Sequence, residues 1–87
     1  MGLDIIELVQ SVEREFQITI PNDTAPTLGT LGELQAFVVQ SLQKKTGAAV
    51  DAADAWERLK RILIEEFAIR ESLLVPSAHI VHDLGLD

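Results

Sequence analysis

His79, His82 and Asp83 are the residues whose types and spacing come nearest to a reactive constellation. Two imidazoles three positions apart beside a carboxylate could begin a metal centre. Such a centre needs further ligands at defined spacing, and this loop-like segment supplies none, so no metal is expected. Glu65 and Glu66 are adjacent and would point apart on a helix, which disfavours a paired acid and base. The glycines of T-L-G-T-L-G (residues 27–32) do not follow the phosphate-cradling pattern of a P-loop. Cysteine is absent, which excludes disulfides, thiolate metal sites and thiol nucleophiles. No nucleophile stands in a pattern with a base. The chain is therefore expected not to be an enzyme in its own right.

The elements that position these residues read as helices. Ile5, Leu8, Val9, Val12 and Phe16 recur at helical spacing, and Asp4, Glu7, Glu13, Arg14 and Glu15 fill the opposite face. Ile18 and Ile20 alternate too briefly for a sheet, and Pro21 ends any strand. Residues 21–30 (PNDTAPTLGT) read as a loop with room for one short 3₁₀ turn, anchored by Leu28. Thr30 with Glu33 forms a capping-box pattern for a second helix with Leu31, Leu34, Phe37, Val38 and Leu42 on one face. Lys44, Lys45 and Gly47 supply its stop signals. Asp54 with Glu57 offers a second capping pattern, for a third helix through Trp56, Leu59, Leu63 and Phe67. The last twenty residues are irregular, with Pro76 and Gly85 as breakers and Leu74, Val75, Ile80, Val81 and Leu84 as apolar anchors. The expected fold is all-α: a small bundle of three main helices plus a possible short one.

Composition narrows the partners. Fourteen acidic residues against seven basic ones give a net charge of −7, which repels phosphate backbones and anionic lipid. Nucleic acid and membrane surfaces are therefore not expected partners. No apolar run approaches a membrane span and no signal-peptide layout opens the chain, so a cytoplasmic location is expected.

Four runs together resemble the acyl carrier protein family, the carriers that bear phosphopantetheine. D-L-G-L-D (Asp83–Asp87) resembles the stretch just before the family's modified serine. G-L-D-I-I-E-L-V (Gly2–Val9) resembles what that serine begins. I-P-N-D and T-L-G-E-L, between Ile20 and Leu34, resemble the family's loop and the start of its last helix. E-R-L-K-R-I-L-I-E-E-F (Glu57–Phe67), followed by V-P-S-A-H-I-V-H-D-L-G, is similar to the family's first helix and long first loop. The order is rotated: residues 1–45 resemble helix II to helix IV, residues 46–53 connect, and residues 54–87 resemble helix I and the first loop. The resemblance thus implies a circularly permuted carrier domain.

The resemblance also implies a site and a departure from it. Gly2 and Asp87 flank the position of the family's serine, and glycine has no oxygen to carry an arm. Ser11, Ser41, Ser72 and Ser77 lie outside the matching motif. Phosphopantetheine is therefore expected not to be attached, and the anions of Asp87 are expected to lie against the first helix and pair with the Met1 amine. By the same resemblance, Asp4, Ile5, Glu7, Glu13 and Glu15, with Ile6 at the apolar rim, form a docking face for carrier-recognising enzymes with basic patches. Glu13→Lys is expected to leave the fold intact and weaken docking. The eight-residue connector reaches about 26 Å when extended, enough for a closed monomer. If it were helical, the flanking helices would fuse into a rod of about 55 Å and pair as a domain-swapped homodimer. Two alternatives remain open: a working carrier whose serine follows Asp87 in a longer form, and a swapped dimer that is itself the functional unit.

Overall fold

A computed structural model describes residues 3–87; the expectations for Met1 and Gly2 lie outside them. Among the described residues there are three α-helices, two 3₁₀ turns and no strand. α1 spans Leu3–Phe16, α2 spans Leu31–Thr46 and α3 spans Ala52–Phe67. The all-α bundle expected from periodicity is what the chain forms.

Each helix buries the stripe its sequence spacing predicts. Leu8, Val12 and Phe16 of α1 meet Leu31, Leu34 and Val38 of α2, and Leu59, Ile62 and Leu63 of α3, in one core. Phe37, Leu42, Trp56 and Phe67 pack half-buried at its margin. Ser11 is the exception on α1, a buried polar residue whose hydroxyl donates to Glu66 of α3 at 2.5 Å. That bond satisfies a group whose burial would otherwise cost about 1–3 kcal/mol.

The helix ends follow from local chemistry. At α2, the Glu33 amide donates to Thr30 Oγ1 at 3.2 Å, and the Thr30 amide donates to Glu33 Oε1 at 3.0 Å. The expected capping box is present. The next two orphan amides of that turn find tertiary partners: Leu31 N–H donates to Ala78 O (3.0 Å) and Gly32 N–H to Pro76 O (2.8 Å). Glycine suits that approach, since a Cβ there would lie 3.0 Å from the same Pro76 oxygen and the Pro76 backbone would have to give way. α2 ends at Gly47 in the left-handed conformation (φ 69°), where glycine carries no steric penalty.

Two readings of the sequence are corrected. α3 begins at Ala52, capped by Asp51, whose carboxylate accepts from the amides of Ala53 and Asp54. Asp54 is therefore inside the helix, because Ala52 and Ala53 are strong helix formers that extend it to the earlier aspartate. The non-helical link between α2 and α3 is correspondingly only residues 47–51. In the last segment Leu74, Ile80 and Leu84 are buried as expected, but Val75 and Val81 are exposed. Ala78 and Leu86 take the inner positions instead. Irregular backbone has no fixed period, so sequence spacing could not tell inside from outside there.

Candidate functional site

The site is built where the chain's last residues meet the start of α1. Residues 79–84 form a tight turn in which the amides of Asp83 and Leu84 both donate to His79 O, at 2.8 and 3.2 Å. Gly85 (φ 70°) reverses the chain, and the Leu86 amide donates to Ile80 O at 3.2 Å, seating Leu86 in the core. Asp87 then arrives at α1, where its main-chain oxygen accepts from the Asp4 amide at 2.8 Å. An amide of the first helical turn, which has no partner within its own helix, is satisfied by the last residue.

Beside this junction lies a pocket of about 280 Å³. Ile5, Leu8, Val9 and Val12 of α1 form one wall, and Pro26, Leu28, Ile80 and Val81 line the loop side. His79 and Asp87 are the residues with polar side chains in its lining. Ile5, expected at a docking rim, is half-buried at this wall.

The acidic residues singled out on α1 fall into two groups. Asp4 and Glu7 are exposed, next to Leu3 (75% exposed) and Ile6 (38%), and make no ion pair among the described residues. Glu13 and Glu15 have internal partners. Glu13 Oε2 accepts from the Ile20 amide at 2.8 Å, tying the return loop to the helix. Glu15 Oε2 accepts from Arg58 Nε at 2.8 Å, while another Arg58 nitrogen donates to Glu15 O at 2.7 Å. Arg58 also lies 4.4 Å from the centroid of the Phe16 ring, a cation–π contact. The sequence signal for Glu13 was weak, since any helix face of alternating charge looks alike before its neighbours are known.

Among the described residues no group of three or more His, Asp or Glu side chains is placed to hold a metal. His79 and His82 are brought together, with ring centroids 4.4 Å apart, but by a turn rather than a ligand. The His82 amide donates to His79 Nδ1 at 3.3 Å, and Asp83 Oδ2 accepts from the His79 amide at 2.7 Å. Ser41, Ser72 and Ser77 are not buried, and Ser11 is held inside the bundle.

Comparison with known proteins finds a partial likeness. Over 47 residues, 54% of this chain, the sequence is 46% identical to an acyl carrier protein of Picosynechococcus sp.. The matched stretch is 53% of that protein, so the chain spans about half the length of the curated relative it matches. The chain is acyl-carrier-like over that half. No family model matches it, and no solved structure does. Among the described residues no helix is long and apolar enough to cross a membrane.

Proposed function

We propose that this chain is an acyl-carrier-type domain in circularly permuted order, which docks carrier-recognising enzymes without bearing the phosphopantetheine arm. The observation that carries the reading is the 2.8 Å hydrogen bond from the Asp4 amide to Asp87 O. D-L-G-L-D and the run that opens α1 resemble segments that are consecutive in the family, and here they adjoin in space though they lie at opposite ends of the sequence. The half-length likeness to a carrier protein supports the same reading, because a colinear comparison can follow only one arm of an exchanged order at a time.

Docking runs through Asp4, Glu7 and the exposed Leu3 and Ile6 at the start of α1. Glu13 and Glu15 contribute charge to the same helix but are held by internal bonds. Partners of this surface carry basic patches; complementary charge speeds encounter and makes the complex transient and salt-sensitive. The domain acts as a closed monomer in the cytoplasm, with Gly47 breaking the rod that a swapped dimer would need. Gly2 stands at the serine position, so the domain forms no thioester of its own.

The apolar pocket beside the junction favours a second reading, a working carrier whose serine is supplied after Asp87. Intact mass after incubation with coenzyme A and a broad-specificity phosphopantetheinyl transferase tests the arm-less reading on this chain, and the same measurement on the full native gene product separates the two. The arm-less reading expects no mass change for this chain. Addition of one phosphopantetheine would overturn it.

A further inference from the structure

The His79–His82–Asp83 turn makes no metal site and has no part in docking, yet backbone hydrogen bonds of adjacent residues connect its segment to the chain-end junction. His79 is half-buried and lines the pocket. Its Nδ1 accepts from the His82 amide, so in this arrangement Nδ1 carries no proton. Its carbonyl accepts from the amides of Asp83 and Leu84, and its amide donates to Asp83 Oδ2. One residue on, Ile80 donates its amide to Gly29 O (2.8 Å) and accepts from Leu86, whose neighbour Asp87 holds the Asp4 amide. We propose that His79 is a pH-sensitive latch: neutral, it keeps the 79–84 turn closed and Asp87 seated on α1, and protonated it releases both.

Several charged groups surround the ring. Asp83 on the same turn, Glu33 at the start of α2 and Asp87 at the pocket all bring negative charge toward His79, and Asp4 stands beyond Asp87. A Cβ on Gly29 would lie 3.2 Å from His79 Nε2 and 3.4 Å from Glu33 Oε1, so the ring and this carboxylate border the same residue. These carboxylates cannot restore the acceptor that a protonated ring loses. Asp83 Oδ2 already accepts from the His79 amide, and Glu33 Oε1 already accepts from Thr30. A proton taken from solvent onto Nδ1 removes the only acceptor that the ring offers the His82 amide. The new charge also faces the second imidazole at 4.4 Å, and double protonation adds repulsion. The ring then turns from His82 toward Glu33, and the turn opens. The fold itself need not melt: Ile80, Leu84 and Leu86 join the core from this segment, but the apolar stripes of the three helices also pack on one another.

The latch needs neither an arm nor a partner, so its test is independent of the proposed function. Uniformly ¹⁵N-labelled protein is titrated by NMR from about pH 7.5 to about pH 5.5, the range in which imidazoles change charge. The His82 and Asp4 amide signals are expected to shift with the midpoint of the His79 ring, not that of the His82 ring. Protection of the Leu86 amide from hydrogen exchange, corrected for intrinsic pH dependence, falls roughly 2- to 10-fold, the effect of one lost hydrogen bond. His79→Asn keeps an acceptor oxygen near Nδ1 but cannot be protonated, and is expected to abolish these changes. His82→Asn keeps the backbone donor and should retain them. Asp4 and Leu86 signals that stay fixed while His79 titrates in the wild-type chain would overturn the latch, as would changes that persist in folded His79→Asn.

Discussion

The two ends of α1 are held in opposite ways. At the C-terminal end Phe16 is buried under the Arg58 guanidinium, Arg58 bridges to Glu15, and Glu13 fastens the Ile20 amide. Lys45 of α2 adds a hydrogen bond to Gln17 O at 2.6 Å. At the N-terminal end Leu3, Ile6, Asp4 and Glu7 face solvent, and the described contact holding the backbone there is the Asp4–Asp87 hydrogen bond. Acidic residues of one helix therefore have different uses. Those engaged within the fold are held in place by an internal bond, whereas those at the open end can reorient toward a partner.

The largest effect is expected between the two ends, where they share a core. Val12 has no solvent exposure, so Val12→Asp should unfold the domain by burying an unpaired charge, seen as loss of helical circular dichroism. A folded Val12→Asp variant would show that α1 does not face the core as described. Arg58→Ala should come next, costing about 1–2 kcal/mol through two hydrogen bonds and a ring contact, discounted for partial exposure. Chemical denaturation measures it, and a cost near zero would erase the contrast between the ends. Glu13→Ala should cost about 1 kcal/mol by leaving the Ile20 amide without its acceptor. The expectation that Glu13→Lys is a clean probe of docking is revised accordingly. Glu7→Lys is expected to change stability by no more than about 0.5 kcal/mol. It should nonetheless weaken binding to a basic carrier-recognising enzyme by roughly tenfold at low salt, an effect that fades as salt rises. Glu7→Lys binding measured by calorimetry at two salt concentrations checks this, and unchanged affinity would remove the open end from the docking surface.

How far the sequence could be read follows from the same contrast. Helix faces were legible because burial along a helix has a period, and every apolar stripe named from spacing meets the core in the structure. The Thr30–Glu33 cap was legible because both partners lie within one turn. Asp51 was missed because two aspartates three residues apart each offer a cap, and only the alanines between them tip the balance to the earlier one. The inward turn of Ala78 and Leu86, and the outward turn of Val75 and Val81, depend on tertiary bonds to α2 and on the left-handed Gly85. The same is true of His79, whose place beside Gly29 and Glu33 requires contacts across about fifty residues of sequence. Arg58 was likewise silent until Glu15 and Phe16 were seen beside it.

The central claim is that the two ends of this chain form one carrier-type site in exchanged order. The most direct measurement joins Asp87 through a single serine to Leu3, opens new termini between Ala48 and Ala49, and records intact mass after phosphopantetheinyl transferase treatment. The account predicts a folded helical domain that gains one phosphopantetheine, while the chain in its present order gains none. A reordered chain that folds and stays unmodified would contradict it.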